Sequence, residues 1–301
     1  MSRAASHGFS HVVDGTVGSA AAAVWHPEPM STIAVLGAGK IGESLLSGLL
    51  DAGHAPEKLV FTERYQQRVD ELTERYGVHG VDVPTAVERA DVLVVSVKPQ
   101  DIEPLLDEIA PLVTPEKLVV TLCAGLPTGL FERRFAAGTP VVRVMPNTPM
   151  LVGEAMSAIS GGTHATEAQL DTVEQLLGSV GRVVRVPESQ QDAVTALSGS
   201  GPAYFFYLVE AMVDAGILLG LPRSVAAELV VQSAVGSAAM LREGEGHPVI
   251  MREGVTSPAG TTISGIRELE KHGVRAAMID AIEAAHSRSV ELGATHRRTD
   301  E

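Results

Sequence analysis

The sequence holds a single cysteine, Cys123, in 301 residues. A lone thiol excludes an internal disulfide framework and a cysteine-rich zinc site, and it fits a cytoplasmic compartment. Aromatic residues are only 4% of the chain, so the core has to be built from Ala, Val, Leu and Ile. Positive charge is scarce as well: 23 Lys and Arg stand against 37 Asp and Glu, a formal net charge of −14. That balance repels phosphate backbones and anionic bilayers, which argues against nucleic-acid partners and a polybasic membrane anchor. The histidines are dispersed and form no His-Glu-x-x-His pattern, so no metal site is expected. The longest apolar stretch, 203–221, approaches membrane-span length but carries Glu210 and Asp214 in its middle. Carboxylates at that depth are costly in lipid, and the stretch reads as a helix buried within protein.

What is present is a globular composition, 45% hydrophobic and 20% charged, long enough for two domains of about 150 residues. Residues 1–29 are rich in Ser, Ala, Gly and His, end in Trp25-His26-Pro27-Glu28-Pro29, and contain no signal-peptide core. They are expected to be a disordered extension, with Met30 as the natural start. Short β-branched runs at 32–36, 59–62, 92–97, 118–122 and 141–145 then alternate with helical segments at 41–52, 66–76, 86–90, 102–109 and 130–137. Near-continuous apolar strands between helices predict a parallel sheet covered on both faces. Two more strands, 155–160 and 182–186, flank a helix at 167–177 and extend that sheet. After Pro187 the strand signal ends, and 189–221, 224–243, 248–254 and 262–293 are helical in pattern. The expected architecture is therefore α/β: a Rossmann-type doubly wound sheet in a dinucleotide-binding domain over 30–187, followed by an all-α domain over 188–301. The segment 189–221 has only Asp192, Glu210 and Asp214 as charges. About 110 residues cannot bury such helices alone, which predicts an intertwined homodimer.

The strongest local motif is Ile33-Ala-Val-Leu-Gly37-Ala38-Gly39-Lys40-Ile41-Gly42, a strand running through G-x-G-x-x-G into a helix. Gly37 allows a tight turn, Gly39 lets a pyrophosphate approach the backbone, and Gly42 permits close helix–strand packing. The helix start then attracts the anion. Glu63, about 20 residues beyond Gly42, is placed to bond a ribose 2′-OH as in NAD sites, whereas Arg64 and Arg68 are placed to hold a 2′-phosphate; both cofactors stay open. Three loops follow the carboxyl ends of strands, where ligands bind in such sheets. They contain Val97-Lys98-Pro99, Cys123-Ala124-Gly125 and Met145-Pro-Asn147. Lys98 suits either a turn or the nicotinamide-ribose side. Cys123 has no activating neighbour and reads as a small pocket-lining residue, not a nucleophile.

In the second half, Leu197-Ser-Gly-Ser-Gly-Pro-Ala-Tyr204, Gly220-Leu-Pro-Arg223, Gly246-His-Pro248 and Val255-Thr-Ser-Pro-Ala-Gly-Thr-Thr-Ile263 follow in order. With the dinucleotide motif, they make the chain over about 30–295 resemble Δ1-pyrroline-5-carboxylate reductase, the last enzyme of proline synthesis. The resemblance implies reduction of a cyclic imine by NADPH or NADH, a helical dimerisation domain, sites shared between two subunits, and homodimers assembled into larger oligomers such as decamers. Carried over by position, Ser257 and the backbone at Gly260 and Thr261 hold the substrate carboxylate, Thr262 bonds the ring nitrogen and is the catalytic candidate, and Glu245 lies near the substrate. Asn147 and Lys98 resemble cofactor-side positions. Ala259 stands where the family usually has a second glycine, so it strains the loop if that position needs a positive φ.

The residues themselves agree. Ser-Pro-Ala-Gly-Thr-Thr opens a helix whose first N–H groups can bind a small carboxylate without an arginine, although Thr262 would equally serve an ordinary helix cap. A protonated imine is already electrophilic, so the site has mainly to position it and exclude water. A hydroxy-acid dehydrogenase of similar build is the alternative enzyme, but its expected Lys and Asn are absent from 189–221. A non-catalytic dinucleotide sensor would not need the carboxylate clamp.

Overall fold

A computed structural model describes residues 31–244 and 246–297. The extension at 1–29, Met30 and Glu245 lie outside the described residues.

Among those residues one sheet contains β1 (Ile33–Leu36), β2 (Leu59–Thr62), β3 (His79–Gly80), β4 (Val92–Val95), β5 (Leu118–Thr121), β6 (Val141–Met145), β7 (Ala155–Gly161) and β8 (Gly181–Arg185), in the order 3-2-1-4-5-6-7-8. The strands from β3 across to β6 are parallel; β7 is antiparallel to β6, and β8 runs parallel to β7. The chain thus winds outward from β1 to β3 and returns to lay β4 on the other side of β1. The switch point between β1 and β4 opens a crevice at their carboxyl ends, the usual ligand position in such sheets.

Six helices accompany the sheet: α1 (Lys40–Asp51), α2 (Gln66–Tyr76), α3 (Val83–Arg89), α4 (Ile102–Ile109), α5 (Thr128–Glu132) and α6 (Glu167–Gly178). They cover two apolar layers. Val35, Leu45, Leu49, Phe61, Val94 and Leu177 belong to one; Leu36, Val60, Leu93, Ile102, Leu106 and Phe131 belong to the other. Neighbours along β1 alternate between the layers, which is why its sequence is apolar throughout instead of alternating. Local caps fix the ends: Asp82 accepts the Thr85 N–H at the start of α3, and Thr166 and Gln169 form a capping box on α6.

The second half is helical: α7 (Gln191–Val194), α8 (Gly201–Leu218), α9 (Arg223–Glu243), α10 (Pro248–Gly254), α11 (Thr261–Lys271) and α12 (Val274–Arg297). The expected helix over 262–293 is two helices, because Gly273 takes a φ of +65° and breaks it. The helix expected over 189–221 is likewise divided, with one turn of π-helix at Thr195–Gly199 between α7 and α8. Gly216 lets α8 approach α9, since a Cβ there would stand 2.8 Å from the Ala226 Cβ. A buried hydrogen bond of 2.7 Å from Ser289 Oγ to Asp192 ties α12 to α7.

The expectation that 203–221 is buried does not hold within one chain. In α8 only Gly201 and Val213 are buried, while Phe205 is 67% and Leu218 88% exposed. The neighbouring α9 is long and apolar enough to cross a membrane, with a mean hydropathy of 1.4, and it too is almost uncovered. Its ends carry Arg223, Arg242 and Glu243. Among the described residues the two buried apolar clusters lie in the sheet domain, and neither includes a residue of α8 or α9.

Candidate active site

At the end of β1 the chain turns sharply. Gly37 has a φ of +97°, and a Cβ on it would lie 2.9 Å from Val97 Cγ1. The Gly37 and Ala38 N–H groups both donate to the Thr62 carbonyl, at 3.2 and 3.1 Å, so the turn is braced against β2. Ser96, at the end of β4, donates its hydroxyl to the Gly37 carbonyl. Sequence reasoning passed over Ser96; its only signal there is a small hydroxyl at the mouth of a strand that neighbours β1. Gly42 packs directly under this turn, where a Cβ would meet the Gly37 carbonyl oxygen and Ser96 Oγ. Gly39 differs: nothing lies within 4 Å of its missing Cβ. It is also the N-cap of α1, with no side chain bonded to that helix start. A backbone held open before an uncapped helix start fits a pyrophosphate, and Lys40 and Ile41 follow as the first residues of α1.

Glu43 is the acidic residue in the first turn of α1. Burial pushes its carboxyl up, but bonds from Arg68 and Tyr76 and the charges of Arg68 and Arg75 outweigh it and hold the carboxyl below its ordinary value. Arg75 Nη1 lies 2.7 Å and Tyr76 Oη 3.1 Å from Glu43 Oε1, which fastens α2 to α1. Arg68 is thereby engaged by Glu43 and Glu71. Arg64 is 69% exposed and pairs with Asp101 at 3.2 Å, while Glu63 Oε1 accepts the Arg64 N–H at 2.7 Å.

The other loops gather at the same end of the sheet. The exposed Lys98 accepts the Asp101 N–H on its carbonyl at 2.9 Å, which closes the turn holding Pro99. Cys123 is 2% exposed and donates Sγ–H to the Val97 carbonyl at 3.2 Å. Burial pushes its thiol up to about 11, so it stays protonated and is no nucleophile. Ala124 is exposed beyond it, and Gly125 turns the chain with a φ of +78°. Asn147, after β6, accepts the Met156 N–H at 2.9 Å and donates to the Ser198 carbonyl at 3.3 Å.

The second cluster precedes α11. The Gly260 N–H donates to the Ser257 carbonyl at 3.1 Å. Pro258 follows Ser257, and Ala259 has a φ of +55°. These are the features of a type II turn, whose third position normally takes glycine. The position does take a positive φ, so Ala259, standing where the resemblance implied a glycine, is strained. Gly260 is the N-cap of α11 and no side chain caps it, so Thr262 does not serve as that cap. Thr262 is half-buried, and Ser257 and Thr261 are exposed. His247 accepts the Val249 N–H at 3.3 Å and caps α10, a helix-entry role. Within the chain α11 packs mainly on α12, and none of its residues is buried.

Comparison with known proteins follows the same division. Residues 188–292 match the pyrroline-5-carboxylate reductase dimerisation family, and 32–125 match the NADP oxidoreductase coenzyme F420-dependent family. The pyrroline-5-carboxylate reductase of Corynebacterium melassecola is 47% identical over 268 residues, covering 88% of this chain and 99% of that protein. The chain belongs to the pyrroline-5-carboxylate reductase family. A pyrroline-5-carboxylate reductase structure from Coxiella burnetii aligns with a TM-score of 0.83 at 35% identity, over 87% of this chain and 98% of its own. The Plasmodium falciparum pyrroline carboxylate reductase, solved with NADP bound, aligns with a TM-score of 0.79 at 28% identity, over 87% and 98%. Both expected parts of the fold, the Rossmann-type sheet and the helical dimerisation domain, are those of the reductase family. The uncovered helices α8 and α9 lie within the part of the chain that matches the dimerisation family, which supports a homodimer.

Proposed function

We propose that this reductase converts 1-pyrroline-5-carboxylate to L-proline by hydride transfer from NADPH or NADH, the final step of proline biosynthesis. The proposal rests on one pairing. An open, uncapped helix start at Gly39 and a second uncapped helix start at Gly260 occur in a chain that matches the reductases over nearly their whole length. Addition of pyrroline-5-carboxylate to the protein with NADPH or NADH should oxidise the nicotinamide, whereas a keto acid should not; a reversed preference would overturn the assignment.

In this reading Gly37, Ala38, Gly39, Lys40, Ile41 and Gly42 hold the pyrophosphate through their backbone. Glu63 and Arg64 face the adenosine ribose. Val97, Lys98 and Pro99 with Cys123, Ala124 and Gly125 line the nicotinamide side. The bound dinucleotide supplies a hydride. Ser257 and the N–H groups at Gly260 and Thr261 bind the substrate carboxylate, helped by the helix dipole of α11. The Thr262 hydroxyl accepts the iminium N–H and fixes the ring with its C=N carbon toward the cofactor. Glu245 favours the positive charge on that nitrogen. The iminium is already electrophilic, so an obligatory general acid is unnecessary and positioning supplies most of the rate.

The exposure of α11 favours a site completed across the dimer, with the clamp of one subunit closing on the sheet domain of its partner. Further association of dimers, as in a decamer, and a cytoplasmic location are part of the same proposal. On the cofactor, the exposed Arg64 guanidinium favours NADPH, because it can leave a solvent-screened pair with Asp101 for a 2′-phosphate. Comparison of kcat/KM for the two cofactors in the Arg64→Ala variant tests this: selective loss with NADPH supports it, and equal loss refutes it.

A further inference from the structure

The segment Leu197-Ser-Gly-Ser-Gly-Pro-Ala-Tyr204 takes no part in the site as described. Its local structure explains its residues one by one. The Ser200 N–H donates to the Thr195 carbonyl at 2.8 Å, five residues back, which is the π-helical turn. Such single turns interrupt α-helices at functional positions. In a regular helix the Ser198 carbonyl would receive the N–H four residues ahead. That residue is Pro202, which has none. The next donor along, Ala203 N–H, goes to the Ser200 carbonyl at 3.0 Å.

The missing donor comes from the sheet domain. Asn147 Nδ2 lies 3.3 Å from the Ser198 carbonyl oxygen and 3.4 Å from Ser198 Oγ. The other end of the same amide is also used, because Oδ1 accepts the Met156 N–H at the start of β7. Next to this bond Gly199 packs closely on the β6 end: a Cβ there would stand 2.4 Å from Met145 Cε, two residues before Asn147, and would push that flexible side chain aside. Tyr204 Oη donates to the Ala196 carbonyl at 3.2 Å and steadies the π turn from the α8 side.

We infer that Asn147 and Ser198 form a latch that fixes the loop after β6 to the first turn of the dimerisation domain, making Asn147 a positioning residue for hydride transfer. Three groups meet at one side chain: the carboxyl end of β6, the start of β7 and the proline-interrupted helix leading to α8. The loop after β6 belongs to the cofactor end of the sheet, and α8 leads into the helices that carry the substrate clamp. A fixed joint here holds the two halves in one relative setting, and donor–acceptor distance in hydride transfer is sensitive to small displacements.

The test compares wild type, Asn147→Ala and the double variant Asn147→Ala/Pro202→Ala, with Asn147→Asp substituting if the alanine variant does not fold. Amide hydrogen exchange is read on the apoprotein over 155–160 and 195–203. Steady-state kinetics are then measured with ordinary NADPH and with NADPH deuterated at the transferred position. The latch predicts faster exchange in both segments for Asn147→Ala, a kcat about 10- to 100-fold lower, near-unchanged cofactor affinity and a larger isotope effect. Restoring an N–H at position 202 should slow exchange over 195–203 and recover part of kcat. Wild-type exchange in Asn147→Ala, or a loss confined to cofactor affinity, would overturn the latch, as would a double variant no better than the single one. Failure of the wild type to reduce pyrroline-5-carboxylate would instead overturn the assigned reaction, and the exchange data would still decide the latch.

Discussion

Gly42 lies so close beneath Gly37 that a Cβ on it would stand 2.3 Å from the Gly37 carbonyl oxygen, whereas a Cβ on Gly39 between them would meet nothing within 4 Å. Two glycines of one motif thus serve different ends, contact within the fold and access from outside it.

The two should separate on mutation. Gly42→Ala has to displace α1 from the turn and is expected to cost about 1–3 kcal/mol, typical of overpacking. Gly39→Val fills only the space meant for a ligand, so its thermal midpoint should stay near wild type while NADPH binding is lost. Thermal denaturation with a fluorescence titration of cofactor distinguishes them; a stable, cofactor-binding Gly39→Val would remove the pyrophosphate site.

Ala259→Gly should stabilise the protein. An L-residue in the left-handed region costs about 1–2 kcal/mol, and the extra freedom of glycine in the unfolded chain returns about 0.4–1 kcal/mol of that. A net gain near 0.5 kcal/mol is expected in urea melts. Ala259→Val should be worse than wild type, since a β-branched side chain tolerates φ of +55° less well. If both variants destabilise equally, side-chain contacts and not backbone strain govern the position.

Thr262→Ala should lower kcat/KM severalfold to a hundredfold, about 1–3 kcal/mol, with the affinity for cofactor unchanged. Stopped-flow single turnovers locate the loss in the reductive step. Full activity would exclude Thr262 from orienting the ring nitrogen.

Stability should fall in mild acid because of His54. It is buried after α1, and burial lowers its pKa from 6.5 to about 4. The unfolded chain therefore takes up a proton as pH drops below 6.5, while the native protein stays unprotonated until about pH 4. Stability is full above that window and is lost progressively within it, by up to about 3 kcal/mol. Urea melts at about pH 7.5 and pH 5 should differ less in His54→Gln than in wild type. An equal difference would assign the acid sensitivity to other groups.

The central strands were legible because each is a short apolar run closed by turn residues: β2 and β6 have the predicted bounds, and β1 starts one residue later than predicted. The two-residue β3 leaves no such pattern. The start of α3 was set too late, because Pro84 suggests a break but lies in the first turn, where its missing N–H costs nothing. The helix predicted over 130–137 is five residues starting at Thr128, whose N–H and hydroxyl both bond Glu188. No local pattern announces a partner 60 residues away. The phosphate turn was legible for the opposite reason: its glycines answer to neighbours within a few residues and to the ligand. Ala259 needed both levels, the family's usual glycine at that position to raise the possibility of strain and the backbone angle to establish it. The role of Asn147 depends on an unpaired carbonyl in another domain and was out of reach of spacing alone.

The uncovered faces of α8 and α9 tie the heat resistance of this enzyme to its concentration. A solitary subunit in dilute solution would leave Phe205, Leu218 and their neighbours in water, so association and folding draw on the same free energy. Melting temperature then becomes a property of the sample as much as of the sequence, and a freshly made chain is most vulnerable to clumping before it meets its twin.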